Sequence, residues 1–246
     1  MGYAILPKIL FEYAYKAPTV CDDNIAQSLI VLIENTSEYG GQCLLWDDGS
    51  SIAICPMSSD AYPYDYRGIV QHEAGGHGFG KLGDESIEHN SFVTSCGFCG
   101  DASIIVRQAH SRSWYQNLSL TEDIDKVSWS HLIFNPKYSN MVDVYEGGYF
   151  HTRGIFRSEP NSCMNNYIPY YSAISRQEIV KRIKCYAGEE FDINEFYAND
   201  VLDSQGNLTG ATRMSVEDNA ITLTCAGKQM PPKFMGDKPH LNKSNK

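Results

Sequence analysis

Apolar residues fall in short runs of two periods along the chain. Residues 28–34, Ser-Leu-Ile-Val-Leu-Ile-Glu, form a β-branched run typical of a central strand. Residues 50–56, Ser-Ser-Ile-Ala-Ile-Cys-Pro, form another, and Asp47-Asp48-Gly49 before it reads as a hairpin turn. Residues 3–14 mix alternating and aromatic positions, which predicts an earlier strand, and Asn35–Gly41 is a turn-rich break. A helical pattern runs from Asp65 to about Leu82, with Tyr66, Ile69, Val70, Phe79 and Leu82 expected on its buried side. Three strands would thus precede one helix.

Beyond that helix the pattern weakens. Residues 102–112 are expected to be helical, Trp114, Trp129 and Phe134 to sit in packed loops, and residues 143–157 to form a strand–turn segment carrying His151. Ser175-x-x-Glu178 reads as a capping box, with Ile179, Val180 and Ile183 following at helical spacing. Asp192-x-x-Glu195 resembles a second box. From Gly227 the chain is polar, Lys-rich and Pro-containing, so residues 1–226 are expected to form one domain and residues 227–246 a disordered tail.

The candidate chemistry lies in Ile69-Val-Gln-His-Glu-Ala-Gly-Gly-His-Gly-Phe-Gly-Lys-Leu-Gly-Asp-Glu85. A His-Glu pair followed closely by a second His on a helix is the pattern of a zinc peptidase. Neutral imidazoles ligate zinc, a catalytic zinc takes three protein ligands, and a Glu beside a ligand can take the proton of an attacking water. The spacing departs from that pattern. The usual pair stands at i and i+4, about 40° apart around an α-helix, whereas His72 and His77 at i and i+5 would stand about 140° apart. A π-bulge absorbs the extra residue, and Gly75-Gly76 lies where that distortion is required. The expectation is therefore a π-distorted helix whose two His share one face.

Charge and cysteine content narrow the class further. The formal net charge is −10, and the five Lys and one Asp of residues 228–246 leave −14 on the rest of the chain. An acidic body argues against nucleic acid and anionic membrane as partners. No stretch reaches the length of a transmembrane helix. Eight Cys are scattered apart from Cys96-Gly97-Phe98-Cys99, which has no second C-x-x-C to complete a structural zinc site.

Several segments, VLIENTSEYGG, SIAICPM, VQHEAGGHGFGKLGDE and VYEGGYFHTRGIFRSEPNSCMNN, occur in this order, and together they resemble the bacterial IgA-specific metallopeptidase family, in the form found in gut bacteria. The resemblance spans about Gln27 to Ala198. It implies an α+β fold of the zincin type, with a mixed sheet packed on an active-site helix and a mainly helical C-terminal part. It also implies a zinc-dependent endopeptidase acting on an exported or host protein. His72 and His77 would be ligands to Zn2+ and Glu73 the general base. Met164, in Ser162-Cys163-Met164, would lie beneath the metal as an apolar floor, or else be an ordinary core residue.

The third ligand is open. Asp84 reaches the metal only if the helix ends near Gly78 or Gly80, and otherwise it would orient a ligand His. Glu85, His89 and His151 are the alternatives, and His151, Tyr149 or Tyr167 would donate to the carbonyl oxygen of the substrate. Two departures stand out. Ser86 follows Glu85 where the family often has Tyr. Family members also commonly carry a signal and an N-terminal β-rich domain, so secretion or display at the cell surface would depend on a region preceding this chain. The opposing expectation is a zincin-fold module that binds protein or glycan with little or no hydrolysis.

Overall fold

Strands β1 (Leu29–Glu34) and β3 (Ser51–Pro56) pair in parallel from Leu29↔Ser51 to Glu34↔Pro56. The computed structural model describes residues 7–38, 40–87, 102–201 and 231–239. Within them, β3 is buried at all six positions, as its unbroken apolar run demands, while β1 leaves Val31 and Ile33 exposed. A short strand that sequence reading did not resolve, β2 (Gln42–Leu45), returns antiparallel to β3. Their hairpin closes where expected: Trp46 N–H donates to Ser50 O, Asp48 Oδ1 accepts from Ser50 N–H, and Gly49 takes φ +93°.

The expected first strand is a helix instead. Residues Pro7–Ala14 form α1, because Leu10, Phe11 and Ala14 recur at helical spacing and share one face. Phe11 is buried edge-to-face on Trp46, with ring centroids 4.9 Å apart. Part of the expected tail is also ordered. Lys233–Phe234 form β7, which pairs parallel with β2 and completes a sheet of order β1-β3-β2-β7. Phe234 stacks on Trp114 at 6.0 Å, which holds the segment against the core.

The motif helix packs across this sheet. It starts as α2 (Tyr66–Val70), capped by Asp65, whose carboxylate accepts from Arg67 N–H. Ile69 and Ala74 bury against Ala53 and Cys55 of the sheet, and full burial of an Ile side chain contributes about 1.5–3 kcal/mol. Leu82 is buried and Val70 and Phe79 partly so, but Tyr66 faces solvent at the first turn.

A second, smaller sheet of order β4-β6-β5 joins β4 (Leu118–Ser119), β5 (Tyr145–Gly148) and β6 (His151–Arg157). Before it comes the expected helix, α3 (Ala102–Ser111). Trp114 and Trp129 are buried, whereas Phe134, next to α4 (Ser130–Ile133), is 61% exposed. The C-terminal part is helical, with α5 (Cys163–Asn166), α6 (Ala173–Ala187) and α7 (Ile193–Asn199). Asp192 caps α7 as its sequence predicts. The capping box at Ser175 does not form. The helix begins earlier, Ser172 is its N-cap, and the Ser175 hydroxyl accepts from that of Ser172 inside the buried first turn. Among the described residues, no helix is long and apolar enough to cross a membrane.

Candidate metal centre

From Gln71 to Phe79 the motif helix is a π-helix, the distortion that the His spacing requires. Closing i→i−5 hydrogen bonds, as Gly80 N–H does to Gly75 O at 2.9 Å, turns residues five apart onto one face. His72 and His77 consequently meet edge-to-face, with ring centroids 4.6 Å apart. The glycines are needed by close approach. A Cβ on Gly76 would stand 2.2 Å from Met164 Sδ, so the methionine packs against the helix at Gly76.

The helix ends at Phe79, with Gly80 as C-cap. Lys81 then takes a left-handed φ of +54° and turns the chain back. Its buried ammonium donates to Gly78 O, and burial pulls its pKa down to about 8. This reversal returns Asp84 to the His pair. Asp84 Oδ1 lies 3.1 Å from His72 Nε2 and 3.4 Å from His77 Nε2.

The other nitrogen of each ring bears on what this cluster can hold. His72 Nδ1 lies 2.9 Å from Cys163 O, and His77 Nδ1 lies 2.7 Å from Leu82 O. A carbonyl only accepts, so each Nδ1 carries the proton, and in a neutral ring Nε2 is then a bare lone pair. Two such nitrogens and a carboxylate oxygen thus face one another in a buried space, within 4.8 Å. Three acceptors repel unless a cation lies among them. For metal bonds of about 2.0–2.1 Å in a tetrahedral site, ligand atoms stand about 3.3 Å apart, which matches the 3.1 and 3.4 Å found here. Two imidazoles and a carboxylate fit zinc and leave a fourth position for water or substrate.

Glu73, beside the candidate ligand His72, is 1% exposed. The backbone of Gly41, at the entry to β2, covers it: a Cβ there would stand 2.6 Å from Glu73 Cγ and Oε1. Burial pushes its pKa up to about 8, opposed by His72 and reinforced by the charge of Asp84. Its Oε2 makes no hydrogen bond to the described residues.

The remaining sequence candidates divide. Tyr167 closes α5 in a left-handed conformation and lies flat on the His72 ring, 4.2 Å between centroids and 17° between planes, as a wall of the ligand. Glu85 is not in the ligand cluster, since its carboxylate accepts from Asn117 Nδ2 and the Ser162 hydroxyl. His151 is also apart, buried at the start of β6 with Nδ1 against Tyr149 O. His89 and the Cys96–Cys99 pair lie outside the described residues. Cys21, Cys43, Cys55, Cys163 and Cys185 carry free thiols. Sequence reasoning missed Cys163 and Leu82 as carbonyl partners of the ligands, and backbone acceptors leave no mark in residue identity. Comparison with known proteins returned no matching protein-family model and no matching curated protein.

Proposed function

We propose that this chain is a zinc-dependent endopeptidase acting on an exported or host protein, secreted or displayed at the cell surface. The observation that carries this reading is the convergence of His72 Nε2, His77 Nε2 and Asp84 Oδ1 as three bare acceptors beside the carboxylate of Glu73. His72, His77 and Asp84 would hold the metal. Bound there, zinc supplies Lewis acidity, polarising a peptide carbonyl and making water a nucleophile near neutral pH. Glu73 takes the proton of the attacking water and passes it to the leaving amine, and a carboxyl tuned towards neutrality suits both directions. The Nδ1 contacts to Cys163 and Leu82 hold the ligand tautomers through the cycle. An extended peptide finds neither side of β2 free, since β3 and β7 take both, and among the described residues the outer strands of this sheet are β1 and β7.

The near-complete burial of Glu73 favours a second reading, a module that holds zinc and binds protein or glycan without cutting it. One pair of proteins separates the two. The zinc-loaded chain and its Glu73→Gln variant are incubated with unfolded casein, and zinc content is measured in parallel. The peptidase reading expects one zinc in each and a cleavage rate about 10²–10⁴-fold lower in the variant. Zinc in both with no cleavage by either would establish the binding module.

A further inference from the structure

Asp84 is the ligand that no regular element carries, and the chain on both sides of it is gripped by a single distant side chain. Asn117 is fully buried just before β4. Its Oδ1 accepts from Gly83 N–H at 2.9 Å, and its Nδ2 donates to Gly83 O at 2.8 Å. The second proton of Nδ2 goes to Glu85 Oε1, also at 2.8 Å. The amide therefore pairs with the peptide groups of the residue before Asp84 and ties down the side chain of the residue after it. Both donors of the amide are used, and pairing with Gly83 fixes which end is oxygen.

The grip is anchored on the small sheet. Leu118, the next residue, pairs with Arg157 of β6. The β5–β6 turn of that sheet also donates Tyr149 N–H to Asp84 O at 2.9 Å and Phe150 N–H to Ser86 O at 2.8 Å. Tyr149 and Phe150 adopt left-handed φ values of +46° and +64° to do so, a conformation that bulky residues hold only under constraint. Glu85 in turn binds α5, through its own N–H to Met164 O and through the Ser162 hydroxyl. Asn117 is the group that links this platform to both neighbours of the ligand.

We propose that Asn117 is a positioning residue for the metal, holding Asp84 at the distance from His72 and His77 that a tetrahedral ion requires. This rests on the metal-site reading above. Asn117→Asp keeps the shape and the acceptor for Gly83 N–H, but removes both donors and sets a carboxylate against Glu85. Zinc affinity is measured by chelator competition on the full chain, with melting of the metal-free protein alongside and the visible spectrum at saturating Co2+. Zinc should bind about 10–100-fold more weakly in the variant. Its saturated cobalt spectrum should lose intensity as two or more waters take the place of Asp84 and the coordination number rises above four. Asn117→Ser, which also lacks the amide donors, carries the same expectation should the Asp variant fail to fold. An affinity within about twofold of the unaltered chain, or an unchanged cobalt spectrum accompanied only by a lower melting temperature, would overturn the proposal. Failure of the unaltered chain to take up zinc would overturn the metal site itself, a different result from tight binding by all three proteins.

Discussion

Two adjacent stretches build the candidate metal centre by opposite means. Residues 71–79 place His72 and His77 through their own backbone, by a helix pitch that the His spacing and the Gly75-Gly76 pair announce. Residues 80–87 place Asp84 with no regular structure, through Asn117, Met164, Tyr149 and Phe150, none of them nearby in sequence. The first stretch is a local solution and the second a borrowed one. A ligand held from afar depends on the folding of everything that holds it.

Removing Asp84 tests this contrast most severely. Asp84→Ala takes away one of the three proposed ligands, and zinc binding by chelator competition should fall by more than the roughly 10–100-fold typical for loss of an outer partner. The two His should still face each other in the metal-free crystal structure, because the π-helix does not need Asp84. Loss of the His arrangement would erase the distinction between the stretches.

A pH series probes the borrowed scaffold. Glu159 is buried beside α6, accepting from Ala173 N–H and the Tyr170 hydroxyl, and Tyr170 O accepts in turn from Cys163 N–H next to the ligand partner. Burial pushes its pKa from 4.5 up to about 7. A raised carboxyl pKa stabilises the fold fully below about pH 4.5, and that contribution is lost as pH rises towards 7. Glu159→Gln should remove this decline, making the variant relatively more stable at pH 7.5 than at pH 4.5. The change is at most about 3 kcal/mol, read by denaturant unfolding at both pH values. Parallel curves for the two proteins would show that Glu159 titrates alike in both states.

The smallest effect belongs to the local stretch. Gly76→Ala drives a methyl towards Met164 Sδ and should cost about 1–2 kcal/mol, low in the range for over-packing because a thioether end adapts. Thermal melting measures it. A more stable variant would mean that the helix tolerates a side chain there and that glycine serves the π-turn alone.

The same contrast explains what the sequence made legible. The strands β1 and β3, the hairpin turn, α3, the Asp192 cap and the π-distortion all follow from short-range patterns, and all are present, whereas the parallel pairing of β1 with β3 is seen only in the structure. The strand expected over residues 3–14 is a helix from Pro7 to Ala14, because the aromatic positions that suggest a strand include Phe11, whose face against Trp46 is helical. Strand β7 escaped because two residues in a Lys-rich stretch carry no period, and only pairing with β2 makes them a strand. Asp84 was conditional on a helix break that the glycines permit but do not demand. Asn117 gave no signal, since a buried Asn that grips a loop looks in sequence like any loop Asn.

Strand β7 has one more consequence, for the order in which the molecule is made. Its partner β2 leaves the ribosome early, and Lys233 is synthesised only after nearly the whole described chain. Until then the outer edge of β2 lacks the β7 partner it has among the described residues, and Trp114 lacks the Phe234 ring that stacks on it. Non-local pairings of this kind close late and slowly. The nascent chain must therefore carry an open strand edge through most of its translation, a stage at which holding factors or fast release would decide its yield.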